Sequence, residues 1–216
     1  TNMNSEYMVT SVGTAQGKVE IGDYYNGKPV TAINDKAFSA ASKITGIKIG
    51  DNVKTIGLNA FSNCSNLETV EFGANVEKIG QYAFQGCRGL KSVVLPEKLT
   101  TVSEYAFRYC RGLTSLTMNS GLTDIKEGAF ASCDRLLTLN IPDSVKTIGK
   151  NAFEKCDHLE SVTFGNGVTT IGESAFSSNT ALSNVKFGQA ITNIGTYAFY
   201  KCVKIQSLDL PESLFT

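Results

Sequence analysis

The sequence predicts a solenoid, in which short repeats stack side by side and are joined through a ladder of parallel β-strands. The main observation is the dipeptide Ala-Phe, which recurs eight times at a spacing of 23 residues, from Ala37-Phe38 to Ala198-Phe199. The second observation is a series of apolar positions at fixed offsets from each Phe. A unit of this length cannot bury its apolar face alone, so successive units must stack to share one core.

Each unit contains one short strand that the pattern identifies. In Val70-Glu71-Phe72 apolar and polar residues alternate, which places Val and Phe on one face of a strand and Glu on the other. Because the next strand follows one unit later, the strands are expected to pair in parallel at about 4.8 Å per rung. Gly or Pro follows most of these strands, for example Gly73 and Pro142, and ends the ladder. We expect this ladder to form the concave face.

The other half of each unit, Ile-Gly-x-x-Ala-Phe-x-x-Cys, is expected to form the return on the convex face. Its Ala is small enough for close approach between units, and its Phe fills the interior. Roughly six or seven residues are too few to establish a period. An irregular turn, a 3₁₀ turn and a short strand therefore all remain open for the return.

All six cysteines occupy one position of the repeat, three residues after the Phe. They are Cys64, Cys87, Cys110, Cys133, Cys156 and Cys202, and the same position holds Ala41 and Asn179 in the two remaining units. Metal sites need closely spaced ligands such as Cys-x-x-Cys, and side chains in a stacked column rarely adopt the torsion of a disulfide. We therefore expect buried, reduced cysteines with a structural role, and neither a metal site nor a cofactor.

The two ends of the chain differ from the repeats. Residues 1–32 lack an Ala-Phe unit and are expected to form an N-terminal cap, with strands at 6–9 and 18–21 and a turn at 23–27. Residues 33–216 then form a leucine-rich repeat solenoid of about eight 23-residue units, truncated at the C-terminal end. Since the chain begins with Thr1 and stops in mid-repeat, we expect a longer protein whose export signal or anchor lies outside this sequence.

The charge balance excludes two kinds of partner. The 216 residues carry 20 Lys+Arg and 20 Asp+Glu, a formal net charge of zero. A protein that binds nucleic acid or an anionic membrane surface usually has a basic excess. No stretch of the sequence approaches the ~18 consecutive apolar residues of a membrane span. We therefore expect no nucleic-acid partner and no membrane insertion of this segment.

No constellation of catalytic groups is apparent, and we expect no enzymatic activity. The one histidine, His158, follows Cys156 by two residues, a spacing that would suit a thiol nucleophile and its base. In this register, however, Cys156 points into the core and His158 lies in an exposed loop. No Gly-rich phosphate-binding pattern follows a strand.

The unit resembles a leucine-rich repeat, because Leu67-x-x-Val70-x-Phe72-x-x-Asn75 follows that template up to the Asn. The full motif, Ile-Gly-x-x-Ala-Phe-x-x-Cys-x-x-Leu-x-x-Val-x-Phe/Leu-Pro-x-x-Val, is similar to the BspA-like class, whose units also have 23 residues. Residues 136–153 are its best copy, and the resemblance covers about residues 18–216. The departures from the motif are Asn179 in the Cys column and Ser103 and Lys126 at Gly positions.

This resemblance implies a β-rich leucine-rich repeat solenoid of the α/β-type repeat class. Members of the family are typically secreted or surface-anchored proteins of host-associated microbes, and several are implicated in adhesion to host matrix proteins. The implied function is a non-catalytic protein–protein interaction module of an extracellular or cell-surface adhesin-like protein, with a host or matrix protein or a glycan as its ligand. An intracellular leucine-rich repeat scaffold is the alternative, and an accessory binding domain of a larger enzyme is a third.

The first candidate binding surface is the concave face, which the outward strand positions make small, neutral and hydroxyl-rich. Its candidate residues are Ser92, Val94, Ser115, Thr117, Thr138, Asn140 and Thr163. The propensity of these residues for β-strands and their solubility also explain this composition. We favour this face as the binding surface, because small side chains let a partner approach the backbone across several rungs.

The second candidate surface lies on the convex loops and contains residue types that are enriched at interface hot spots. Its residues are Tyr82, Arg88, Tyr105, Arg108, Tyr109 and Arg111. The alternative for this patch is a solvated Arg111–Asp134 ladder between neighbouring rungs, in which the charges satisfy one another.

Overall fold

The computed structural model describes residues 6–214, which form a parallel β-solenoid of about eight turns with almost no helix. The only helical element of the described residues is a 3₁₀ turn, Glu212–Leu214. This architecture confirms the predicted fold class. In chain order the strands are β1 (Tyr7–Val9), β2 (Gly17–Ile21), β3 (Tyr24–Tyr25), β4 (Lys28–Ile33), β5 (Ile44–Ile49), β6 (Thr55–Ile56), β7 (Thr69–Glu71), β8 (Lys78–Ile79), β9 (Ser92–Val94), β10 (Thr101–Val102), β11 (Ser115–Thr117), β12 (Asp124–Ile125), β13 (Thr138–Ile141), β14 (Thr147–Ile148), β15 (Ser161–Phe164), β16 (Thr170–Ile171), β17 (Asn184–Lys186) and β18 (Asn193–Ile194).

The predicted strands form a parallel ladder along one side of the solenoid. Strands β2, β5 and β7 pair in one sheet, β9 pairs with β11, and β13, β15 and β17 form a third sheet. The pairing keeps the repeat in register, so that Leu139 lies beside Val162 and Asn140 beside Thr163. Leu139 and Val162 are buried while Asn140 and Thr163 are exposed, as the alternation predicts.

A second ladder runs along the solenoid at the start of each return, where the sequence left a short strand as one of several alternatives. Strands β1, β4, β6 and β8 form one part of it, and β10, β12, β14, β16 and β18 form the other. Most of these strands contain two residues, and their inward residue, such as Ile148 beside Ile171, is buried. The apolar column is visible in the sequence, but two residues are too few to establish an alternation.

The return is built of turns whose N–H groups alternate between two directions. The amides of Phe130 and Ser132 donate to the carbonyls of Ala152 and Glu154 in the next turn of the solenoid, at 2.8 and 2.7 Å. The amides of Ala131 and Cys133 instead donate to carbonyls three residues earlier in their own turn. The N–H groups of residues 128–133 are therefore all paired without a strand or helix. Of the alternatives for the return, the irregular turn describes the segment after the first Ile, and the short strand describes that Ile, which lies in the second ladder.

Two residues in each return have a left-handed backbone. They lie two residues before and two residues after each Phe, with φ between 53° and 73°. Only three positions of this kind hold glycine or alanine, namely Ala40, Gly86 and Gly128. A residue with a Cβ pays a steric cost in this region, so the repeat imposes a conformation that most of its residues do not prefer.

The core is a continuous column of stacked Phe rings. From Phe38 to Phe199, neighbouring rings have centroids 4.8 to 5.5 Å apart and planes within 17° of parallel. The preceding Ala of each central unit is fully buried, as Ala106 is, because only a small side chain fits between neighbouring turns. The rings are fully buried in the central units, and Phe199 is half-buried.

The N-terminal residues continue both ladders, because β1 pairs with β4 and β2 pairs with β5. Strand β3 folds back antiparallel on β4 through Asn26-Gly27, whose φ values of 48° and 73° suit a tight hairpin turn. Strands thus lie where the sequence predicts them. The assignment of residues 1–32 as a cap stays a prediction, and residues 1–5 of it lie outside the described residues, as do the last two residues of the final unit.

Candidate functional site

The strand face consists of the outward side chains of the central strands β9, β11, β13 and β15. Ser92 lies beside Ser115, and Val94 lies beside Thr117, in parallel register. All of the candidate residues named from the sequence are exposed: Ser92, Val94, Ser115, Thr117, Thr138, Asn140 and Thr163. The face therefore has a lattice of short side chains that repeats at the strand spacing of about 4.8 Å.

The centre of the strand face is neutral, and its polar groups are available for hydrogen bonds. The side chains of Thr117, Asn140 and Thr163 form no hydrogen bond with any other group of residues 6–214. Val94 is 62% exposed and places an apolar side chain on the same surface. Charged pairs occur toward the N-terminal end instead, where Lys48 Nζ lies 2.7 Å from Glu20 Oε1.

On the return side, the arginine–tyrosine patch comprises Tyr82, Arg88, Tyr105, Arg108, Tyr109 and Arg111. The rings of Tyr82 and Tyr105 are stacked with centroids 5.1 Å apart. The Arg108 guanidinium lies 5.3 Å from the Tyr105 centroid and 4.5 Å from that of Tyr109. The Arg111 guanidinium lies 5.7 Å from the ring centroid of Tyr109. The structure thus joins five of these residues through ring and cation–π contacts, and Arg88 is the exception.

The alternative interpretation of this patch, a ladder of ion pairs, applies to only one of its arginines. Arg111 Nε lies 3.5 Å from Asp134 Oδ2. Burial raises the pKa of Asp134, and the nearby Arg111 only partly opposes that shift. Within residues 6–214, Arg88 and Arg108 form no ion pair, and Arg108 Nε is buried without a hydrogen-bond partner.

Tyr105 is fixed in place by its neighbours. Its hydroxyl donates to Glu127, and this hydrogen bond raises the pKa of Tyr105 to about 12. Its ring lies against Gly128, where an added Cβ would collide with two ring carbons. Because Gly128 also has a left-handed φ of 58°, glycine suits this position in two ways.

The cysteine column is buried and free of disulfides, as predicted, and it makes hydrogen bonds that the sequence did not indicate. Each thiol donates to the carbonyl oxygen of the Phe in the preceding turn, at Sγ to O distances of 3.0 to 3.5 Å. Asn179 Nδ2 donates to the equivalent carbonyl of Phe153 at 3.1 Å and to Phe176 at 2.9 Å, while its Oδ1 accepts from Cys156 N. Seven of the eight residues of the column are therefore small donors that join two turns, and Ala41 is the exception.

Burial raises the pKa of most of these thiols, which keeps them protonated and unreactive. The pKa of Cys156 is raised to about 12, and those of Cys87, Cys110, Cys133 and Cys202 are also raised. The neighbouring Cys87 thiol lowers the pKa of Cys64, but the Cys64 side chain is fully buried. A nucleophilic thiol needs a lowered pKa and access to solvent together.

The two residues considered as a thiol–imidazole pair contact different carbonyl groups. The Cys156 thiol donates to the carbonyl of Phe130 at 3.4 Å. His158 is exposed, and its Nδ1 lies 2.7 Å from the carbonyl oxygen of Asp134. Within residues 6–214, no group of three His, Cys, Asp or Glu side chains is placed to hold a metal ion.

An apolar cleft of about 370 Å³ lies at the N-terminal end of the core. It is lined by Tyr7, Val12, Val19, Tyr25 and Phe38 among others. Sequence reasoning missed this cleft, because it depends on how the side chains of β1, β2 and β3 pack between the two ladders.

The ladders and the Phe column define a leucine-rich repeat solenoid, a fold that is typically a non-catalytic module for protein interaction. The family described as BspA type leucine rich repeat region matches residues 31–160 and 146–216, with six copies. The chain belongs to this family. No curated protein has significant similarity to the sequence.

Solved structures of bacterial leucine-rich repeat proteins share the fold. The T. pallidum leucine-rich repeat protein TpLRR is 23% identical with a TM-score of 0.71, and the alignment covers 96% of this chain and 86% of that one. The pneumococcal vaccine antigen PcpA is 23% identical with a TM-score of 0.65, over 94% of this chain and 62% of that one. Among the described residues, no helix is both long and apolar enough to cross a membrane.

Proposed function

We propose that this chain is the binding module of a secreted or cell-surface adhesin-like protein, and that it binds a protein ligand through the strand face. The observation that carries the proposal is the central lattice of exposed, neutral side chains on a fixed parallel ladder. In three successive turns, Thr117, Asn140 and Thr163 supply polar side chains that form no hydrogen bond within residues 6–214. Membership of the BspA type family supports a role in protein interaction.

The strand face suits a protein ligand because it is already ordered and its side chains are short. A partner that docks on it would need to order only its own groups, which lowers the entropic cost of association. Val94 supplies an apolar contact at the centre of the face. Host or matrix proteins are the ligands we propose.

A glycan is a weaker fit to the same surface. Aromatic side chains are the usual stacking platforms for planar or apolar ligand faces, and the seven residues that define the strand face include none. The intracellular scaffold and the accessory domain of a larger enzyme would use the same surface. Protease accessibility of the protein on intact cells separates the extracellular proposal from both.

The test is a binding screen followed by matched variants. Immobilised matrix proteins and glycans are screened by surface plasmon resonance, and the ligand is then tested against Thr117→Arg/Asn140→Arg. This variant adds two bulky charges at exposed positions, so we expect at least a roughly tenfold loss of affinity with the fold intact. The control, Thr100→Arg/Ser120→Arg, adds the same charge at exposed positions outside the strand face and should bind normally.

A third variant, Arg88→Ser/Arg108→Ser/Arg111→Ser, removes the charge of the arginine–tyrosine patch. If this variant fails to bind while Thr117→Arg/Asn140→Arg binds normally, the assignment of the binding face is wrong. If the ligand is a glycan rather than a protein, the proposed class of ligand is wrong.

A further inference from the structure

One column of the return side changes the sign of its charge halfway along the solenoid. The position four residues after the Phe holds Arg88 and Arg111 in two successive turns and Asp134 and Asp157 in the next two. Arg88, Arg111 and Asp157 are exposed, and Asp134 is half-buried. Because the turns stack at about 4.8 Å, the four residues form a row roughly 14 Å long with a basic half and an acidic half.

The inner charges of this row are paired within the chain, but the outer charges are not. Arg111 lies 3.5 Å from Asp134. Throughout residues 6–214, no ion pair involves Arg88 or Asp157. The row therefore ends in an unneutralised positive charge on one side and an unneutralised negative charge on the other.

Such a row is complementary to itself when its direction is reversed. A twofold axis lying across the return side, between the turns of Phe107 and Phe130, would exchange the two halves. It would place Arg88 opposite Asp157 of a second copy, and Arg111 opposite Asp134, with each contact formed twice. This is the relation that an isologous dimer requires, whereas stacking the two rows in the same direction would oppose like charges.

The surface beside the basic half holds tyrosines at backbone positions that do not favour them. Tyr82, Tyr105 and Tyr109 have φ values of 57°, 57° and 61°, and the neighbouring turns use Gly86 and Gly128 at equivalent positions. A bulky residue in the left-handed region is uncommon and costs free energy. Since glycine satisfies the fold there, the tyrosines must contribute something that folding alone does not require.

Cation–π contacts join these aromatic side chains to the arginines beside them. Arg108 packs 4.5 Å from the centroid of Tyr109, and Arg111 packs 5.7 Å from the same ring. Like Arg88 and Arg135, Arg108 lacks a carboxylate partner among residues 6–214. Tyr and Arg together are the residue types that most often carry binding energy at interfaces.

We propose that the return side is a homotypic interface, on which a second copy of the chain docks antiparallel and pairs the basic half of each row with the acidic half of the other. A contact limited to a few turns is small, so the dimer is weak and depends on ionic strength. This interface lies apart from the strand face and does not rest on the ligand proposed for that face. It would bring neighbouring molecules together where many copies are held at high local density.

The test is sedimentation velocity of the wild-type chain and two charge-reversal variants at low and high salt. We expect the wild type to populate a dimer as its concentration rises toward about 1 mM, and to dissociate in high salt. Arg88→Asp and Asp157→Arg each place like charges opposite one another, so each alone should stay monomeric under the same conditions. An equimolar mixture of the two restores opposite charges at both outer contacts and should form a heterodimer.

Both substituted residues are exposed, and thermal unfolding checks that each variant keeps its fold. Lys36→Asp, a reversal at an exposed residue outside the row, is the control and should dimerise like the wild type. A wild type that remains at the 23.2 kDa of the monomer at every concentration would overturn the proposal. So would a mixture that associates no better than either variant alone.

Discussion

Each cysteine of the repeat joins two turns of the solenoid, because its thiol donates to a Phe carbonyl of the preceding turn. The residue that replaces cysteine in one unit, Asn179, is fully buried and donates to the equivalent carbonyl. The spacing of the cysteines predicts their burial but does not reveal what the thiols face. In the sequence only Asn179 indicates that this position forms a hydrogen bond, because a side-chain amide is a stronger donor than a thiol.

The thiols give the protein a dependence of stability on pH. The raised pKa of Cys87, Cys110, Cys133, Cys156 and Cys202 means that the folded state keeps protons that the unfolded state loses above about pH 8.5. Stability is therefore complete below that pH and falls as pH rises toward the folded pKa, by about 1.4 kcal/mol per pH unit for each such thiol. Urea unfolding between pH 8 and 9.5 measures this slope, because lysine and tyrosine side chains stay mostly protonated in that range.

A matched variant assigns the slope to the thiols. In Cys156→Ala the stability should decrease less steeply with pH than in the wild type, because one titrating group is gone. Thiol labelling supplies the second readout, with six groups reacting after denaturation and essentially none before. An unchanged slope, or rapid labelling of the folded protein, would contradict the burial of the column.

The left-handed backbone positions predict an unusual response to glycine. Lys36 is exposed, with φ of 57°, so Lys36→Gly should leave the stability unchanged or increase it by up to about 1 kcal/mol. Lys36→Ala keeps a Cβ and should bring no such gain. At Lys43, which is exposed and does not have a positive φ, the change to glycine should cost about 0.5–1 kcal/mol. Chemical denaturation of the three variants measures these differences, and a loss at Lys36 equal to that at Lys43 would contradict the assignment.

At the scale of elements, the two ladders differ in how well the sequence predicts them. The segment Val70-Glu71-Phe72 shows a clear alternation, and the position and register of β7 follow from the 23-residue spacing. The second ladder shows only a recurring apolar residue, and its two-residue strands leave no periodicity to detect. The alternating hydrogen bonds of the return could not be predicted either, since they depend on φ values at residues as different as Tyr105 and Lys155.

The Phe column predicts that stability is lost unevenly along the array. Phe130 is fully buried between two stacked rings, so Phe130→Ala should cost about 3–5 kcal/mol. Phe199 is half-buried and stacks on one ring of its column, so Phe199→Ala should cost clearly less. Equilibrium denaturation of both variants makes the comparison. Equal losses would argue against an array in which each turn depends on its neighbours.

At the scale of the whole molecule, the solenoid has two long surfaces of different character. The strand face is neutral and regular, while the return side concentrates opposite charges and strained tyrosines in its central turns. The sequence predicts which residues of the strand face are exposed, because the repeat fixes their direction. On the return side Arg88 and Arg111 are exposed, whereas Tyr82, Tyr105, Arg108 and Tyr109 are half-buried. The sequence could not predict that, within residues 6–214, Arg88 and Arg108 form no ion pair while Arg111 forms one, since that depends on side-chain packing across turns.

The most direct test of the binding proposal is site-specific photocrosslinking, because it reports proximity without removing a contact. The photoreactive residue benzoylphenylalanine is placed at Asn140 on the strand face in one variant and at Asp157 on the return side in another. We predict that the ligand crosslinks to position 140, whereas position 157 gives only a crosslink between two copies of the chain. A ligand that crosslinks to position 157 and leaves position 140 unmodified would contradict the assignment of the strand face as the binding surface.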